Sequence, residues 1–481
     1  MRKLGIIVLF VALAAACENK TSSNTQTESQ TVTEKTSKQT PFPDFGYMVP
    51  DYKGEVFVLS QNYPDTLPKQ ELPPFFQTDY KKDWRKYLLE VQKYCFEGNT
   101  EVDFRVLQNK VRHWYHMPWQ HYGPQAREGF HGLTQEAPVK ALQLAPTQTD
   151  TNTGAVAVGF YNDVAALTIQ EVWKDHYHPN HSHNMSFKNG SVLFKILFVT
   201  LPEDIAVKQV PWLVNGLWWD AFVCPDFHDA EDTDQMRYRR QIKVALVQMD
   251  IMVRDDRAPN GWIFGNFQYN GKMNKADKWE NLVPVGLMWG EDPNDTTNFS
   301  NAKPTRTIIN PKLVETIINP DSNELPATHL GWNSRLNGPV DNPMSSCYSC
   351  HSTSEYPANL PMSPLFNDSL SAACPPGSAG WMYWFRNLKC GEPFTPKSHS
   401  MDFSLQLSQS IQFFYNWKKS QGGLYSNDYA PAPPAAPAAA GQQARMAKAM
   451  LKSTPAHHRA TLKPDTTGGQ VDYPIGFPAS K

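Results

Sequence analysis

The chain is short of charge. Lys, Arg, Asp and Glu make up 19 % of its 481 residues, and 45 basic against 47 acidic side chains leave a formal net charge of -2. Phosphate-backbone binding needs Lys and Arg concentrated on one surface, so a nucleic-acid partner is set aside. Long apolar runs are missing as well: Leu4 to Leu13 is too short for an ordinary spanning helix, and no later segment has the length and purity of one. No internal repeat is visible, and there is no second Cys-x-x-Cys that would complete a zinc site. At this length the chain can still bury a sizeable core.

The N-terminus reads as a targeting segment over residues 1–17. Arg2 and Lys3 precede the apolar run, and Ala14, Ala15 and Ala16 precede Cys17. Three small residues before a cysteine resemble a bacterial lipoprotein processing site, which makes Cys17 the expected lipidation site and the chain's membrane anchor; ordinary secretion is the alternative. Either route leads to the periplasmic side of the bacterial cell envelope. Residues 18–41 are polar and without apolar period, as in a flexible tether.

The expected fold class is α+β, with a β-rich antiparallel core, N-terminal helices and a helical C-terminal segment around the string Cys-Tyr-Ser-Cys-His at 347–351. Helical patterns run from Asp79 to Phe96 and from Glu101 to His113, inside an N-terminal, His- and aromatic-rich region at 42–150. The β-rich core at 151–330 is expected from runs of strand length at Ala155–Tyr161, Leu167–Trp173, Ser191–Thr200, Val244–Arg254 and Trp262–Tyr269, with glycines between them. The weak alternation of Val244–Arg254 predicts burial on both faces. Helical pattern returns at Lys312–Ile318 and Ser404–Lys418, with residues 347–351 between them, and the region 331–427 holds both that string and the second of these segments. A Pro/Ala-rich tail occupies 428–481.

One string carries chemistry: Cys347-Tyr348-Ser349-Cys350-His351. Two thiols separated by two residues match the two vinyl groups of a haem, and the adjacent imidazole reaches iron. A zinc half-site would need further ligands nearby, and a thioredoxin-like pair would follow a strand in a βαβ pattern that is absent. The motif occurs once, so one covalent haem c is expected, with His351 as axial ligand. For the opposite face of the iron, Met362, Met382, His399 and Met401 all follow the motif. Met401, just ahead of the last helix, is the first choice, against core filling for a Met in that place and against an open sixth position.

The remaining histidines fall into two groups. His113, His116, His121 and His131 stand among Trp114, Tyr115 and Trp119, and are candidate proton donors or ligands of a distal pocket; the alternative is an aromatic cluster with hydrogen-bonded histidines. His176, His178, His181 and His183 read as a loop with some capacity for metal. Setting aside Cys17, Cys347 and Cys350, four cysteines remain, and two disulfides are expected: Cys374 with Cys390 across a short Pro-Gly loop, and Cys95 with Cys224 as the remainder.

The string HLGWNSRLNGPVDNPMSSCYSCH from 329 to 351, with REGFHGLT at 127–134 and MDFSLQLSQ at 401–409, resembles a family of largely uncharacterised bacterial monohaem cytochromes c. A weaker likeness, through NGSVLFKILF at 189–198 and GWIFGNFQYNG at 261–271, is to cytochrome P460 and the β-sheet cytochromes c′. That second resemblance implies an iron open to small nitrogen or oxygen ligands and singles out Lys195, because a Lys is bonded to the haem in P460 proteins. Two roles follow: single-electron transfer with a redox partner protein, or a haem-dependent oxidoreductase or sensor for a small ligand. An envelope-binding body with an auxiliary haem is a third.

Overall fold

The fold is described from a computed structural model, which covers Phe42, Val49 and residues 52–69, 71–120, 127–227, 238–297 and 305–420. The expected signal with Cys17, the tether, His121 and the tail lie outside these residues. Strands are β1 (Trp114–Tyr115), β2 (Thr134–Pro138), β3 (Gly154–Asn162), β4 (Val192–Val199), β5 (Trp218–Val223), β6 (Arg240–Arg254), β7 (Trp262–Tyr269), β8 (Leu282–Met288), β9 (Thr316–Ile318), β10 (Glu355–Tyr356) and β11 (His399–Ser400). Helices are α1 (Trp84–Phe96), α2 (Asp163–Trp173), α3 (Glu203–Gln209), α4 (Cys347–His351), α5 (Asp368–Ala373), α6 (Ala379–Met382) and α7 (Leu405–Ser420).

β1 to β9 form one antiparallel sheet along the path β1-β3-β4-β6-β7-β8-β9, with β2 also on β3 and β5 also on β6. The α+β class with a large antiparallel core therefore stands. Both faces of the sheet are covered, which explains the weak alternation: Val244 to Met249 are all buried. Val158, Ile196, Met249 and Ile251 pack with Leu88 and Val91 of α1 on one face. Tyr161, Leu193, Met252 and Phe264 pack with Ile169 of α2, Tyr348 of α4 and Leu407 of α7 on the other. From Pro41 on the chain clusters as one unit, and the regions 42–150 and 151–330 share the sheet through β1, β2 and β3.

Several local expectations are corrected. Leu167–Trp173 is helical, not a strand: Asn162 caps α2 by accepting from the Ala165 N–H at 3.0 Å, and Ala165, Ile169, Val172 and Trp173 fall on one buried face at helical spacing. Glu101–His113 is not a helix, because Asp103 and Phe104 take left-handed φ values of 50° and 55° between two short 3-10 turns. Lys312–Ile318 ends in a strand, where the β-branched Thr316-Ile317-Ile318 pairs with β8 and the Asp292 carboxylate holds the Val314 and Glu315 N–H groups. The segment expected to be helical around the Cys-x-x-Cys-His motif is mostly irregular chain joining short helices, with α7 its one long helix. Asn333 and Ser334 adopt φ of 59° and 63°, and buried Arg335 satisfies carbonyls that a helix would have satisfied itself.

Candidate cofactor site

In α4, residues i, i+3 and i+4 share one face. Cys347, Cys350 and His351 occupy that face and line a cavity, while Tyr348 and Ser349 point into the core. Ser346 starts the helix with a capping box, its hydroxyl accepting from the Ser349 N–H at 2.9 Å while Ser349 Oγ accepts from the Ser346 N–H at 2.8 Å. The Tyr348 hydroxyl donates to the Leu388 carbonyl. The cysteine pair is thus held by its neighbours.

His351 is oriented by one bond. Its Nδ1 lies 2.8 Å from the carbonyl oxygen of Phe403, and since a carbonyl only accepts, the proton sits on Nδ1 and the Nε2 lone pair is left for a ligand. Burial lowers the imidazole's pKa to about 4, so it stays neutral. Cys347 and Cys350 are thiols not joined to each other, and burial raises both well into the protonated range. Two S–H groups and an imidazole lone pair therefore face one space, a donor set able to form two thioethers and one iron bond.

The floor of the cavity is the second face of the sheet. Gly159, Lys195, Asp250 and Asn266 lie opposite one another on β3, β4, β6 and β7, a polar row across an apolar surface. At Gly159 a side chain would overlap Gln406, so the bare backbone lets α7 close that end. Met362, Phe366 and Phe413 add apolar wall. The cavity has a volume of about 230 Å³, just below the roughly 300–1,000 Å³ of an ordinary small-ligand cleft.

No protein-family model matches this chain, and neither a curated protein nor a solved structure does. What the site can do rests on its own residues.

The other candidates sit elsewhere. Met401 is fully buried in the core, its N–H bonded to the Ser354 carbonyl, and is not among the residues lining the cavity; Met362 is. His113 is exposed beside Asp163 at 3.5 Å. His116 is buried behind the wall residue Phe160, its Nδ1 accepting from the Ser60 N–H at 3.0 Å. His131 is held between Asp103 (2.8 Å) and the Asp220 carbonyl (3.0 Å) and stacks on Trp219. His116 keeps a buried Nε2 without a hydrogen-bond partner, none of the three lines the cavity, and Trp114, Tyr115 and Trp119 are core. His178 bonds Asp175, His181 the Tyr415 hydroxyl and His183 Glu171, and no group of three or more metal-ligating side chains forms among the described residues. Neither expected disulfide forms. Cys374 packs against Gly380 and Cys390 against Gly261, and Cys95 is a free thiol on the buried face of α1.

Lys195 does line the cavity, ion-paired to Glu136 at 2.7 Å. Sequence reading passed over Asp250, although Gln248 and Asp250 are polar residues inside a strand otherwise buried on both faces. That was the available signal. Burial, with Asp341 nearby, raises the Asp250 pKa to about 8. Between the ordinary Asp value and about 8 the folded state holds more protons than the unfolded one, so this group's contribution to stability is lost as pH rises through that window. Melting temperatures measured from pH 5 to 9 are expected to fall toward the alkaline end, and Asp250→Asn to flatten that fall; equal slopes would refute the assignment.

Proposed function

We propose that the chain is a monohaem c-type cytochrome of the bacterial cell envelope, with haem c bound through Cys347 and Cys350 and iron ligated by His351. One observation carries the reading: both thiols and the free Nε2 of His351 face a single, mainly apolar cavity. The N-terminal residues up to Cys17 support export and lipid anchoring on the periplasmic side. No helix of the described residues is long and apolar enough to cross a membrane, so attachment in this reading runs through Cys17.

Of the two roles, binding of a small nitrogen or oxygen ligand at an open iron position is favoured over electron transfer alone. Met401 is withdrawn into the core, and the cavity floor offers Lys195 and Asp250 to a polar ligand. The bound haem would supply a one-electron redox change and an open coordination position. The protein orients His351 through Phe403, lines the cavity with the apolar rings of Phe366 and Phe413, and presents Lys195 to the ligand.

The test is the absorption spectrum of the haem-loaded protein with and without carbon monoxide. Uptake by the ferrous protein is expected, with Met401→Leu leaving the spectrum unchanged. A low-spin spectrum that refuses carbon monoxide until Met362 is changed to Ala would instead make Met362 the sixth ligand and favour electron transfer.

A further inference from the structure

Asp250 on β6 and Asp341 in the loop before α4 both reach the cavity wall, and one amide group stands between them. Gln248 Nε2 donates to Asp250 Oδ1 and Oδ2 at 2.9 and 3.0 Å and to Asp341 Oδ2 at 2.9 Å. The amide is oriented from its other end, where Oε1 accepts from the Val340 N–H at 3.1 Å. Asp341 also accepts from the Gly338 N–H at 2.9 Å. Asn266, fully buried, donates to Asp250 and keeps its own Oδ1 without a partner at the same spot.

The charges facing the pair do not neutralise it. Lys195 lies across the strand pair from Asp250 but is taken by Glu136 at 2.7 Å, and no ion pair to Asp250 or Asp341 forms among the described residues. α4 contributes the uncharged Cys347, Cys350 and His351, with Glu291 behind it. Two carboxyl groups sharing one NH₂ donor set, with no cation of their own, resist ionising together. A cation site is the poorer alternative, because the Gln248 amide turns donors, not its oxygen, toward both carboxylates.

We propose that Asp250 and Asp341 form a carboxyl pair that carries one proton at neutral pH and exchanges it as the charge of the cavity's occupant changes. The occupant in question is the haem iron and its ligand, so this rests on the function proposed above. A one-electron donor that reduced the bound haem would raise the pair's affinity for a proton, so that on the alkaline side of neutrality, where the pair has lost its proton, one proton would be taken up from solvent with the electron. The burial that raises the Asp250 pKa acts in the same direction.

Two measurements test it. Infrared pH titration of the full chain, which needs no haem, should show the carbonyl stretch of neutral carboxylic acids disappearing on the alkaline side of neutrality, and Asp250→Asn should diminish it, the remainder belonging to Glu291, whose carboxyl burial also raises to about 8. In the haem-loaded protein the midpoint potential should fall with pH over the same range, by at most about 59 mV per unit for one proton per electron, and Asp250→Asn should flatten the slope. Asp341→Asn serves as the second variant should Asp250→Asn fail to fold. A band that the soluble variants leave undiminished, or a potential slope they leave unchanged, overturns the proposal. Absence of covalent haem with the infrared band intact sinks the haem reading while sustaining the shared proton.

Discussion

Arg335→Ala is expected to cost about 3–5 kcal/mol of folding stability, the range for breaking a buried charge pair, and to loosen the Cys-x-x-Cys-His helix. The guanidinium is fully buried and donates to the carbonyls of Glu291 (2.8 Å), Trp332 (3.2 Å), Asp292 (3.0 Å) and Asp295 (3.1 Å). It also pairs with the fully buried Glu291 carboxylate at 3.2 Å and lies over the Trp332 and Phe385 rings. The other Glu291 oxygen accepts from the hydroxyl of Ser346, the N-cap of α4. One side chain therefore links the irregular 291–296 turn to the start of the motif helix. Burial pushes the Glu291 carboxyl upward against the pull of Arg335 and Ser346, so removing the cation leaves an acid that must take a proton in the core. Urea denaturation measures the loss. Adding Glu291→Ala should restore part of it, because the uncompensated carboxylate goes too; a single-variant loss below about 1 kcal/mol would refute the role.

Arg335 also shows where sequence reading ends. The motif needs only five adjacent residues, so its presence is legible, and helical spacing places both thiols and the imidazole on one face. The strands β3, β4, β6 and β7 were legible because β-branched and aromatic residues cluster there between glycines. α2 was misread: its residues are apolar almost all round, and the deciding signal was a capping Asn one residue upstream. The 331–346 segment offered no period at all, since its structure is written in side chain to backbone bonds such as those of Arg335. Met401 looked well placed in sequence, but distance along the chain says nothing about which side of a loop a side chain leaves from. Asp341 and Asp250 are 91 residues apart and meet only because the loop carrying Val340 returns over β6.

Changing Cys347 and Cys350 together to Ala is expected to abolish all pigment that stays with the denatured chain, a complete loss. Each thioether would form by adding a thiol across a vinyl double bond: sulfur bonds one carbon, the S–H hydrogen ends on its neighbour, and no oxidant is consumed. Both sulfurs are free for this, since neither is in a disulfide. Either single substitution removes one of the two attachments and should leave a smaller but covalent fraction, because i and i+3 on α4 reach the cavity independently. His351→Ala separates the remaining role. It keeps both thiols on the same helical face and removes only the lone pair aimed by Phe403, so its effect should appear in the iron spectrum of whatever pigment is attached. Haem staining of the denatured protein after gel electrophoresis, with circular dichroism to show that each variant folds, measures all four chains. A folded double variant that still carries covalent pigment would mean that some other residue holds it, and the assignment of Cys347 and Cys350 would fall.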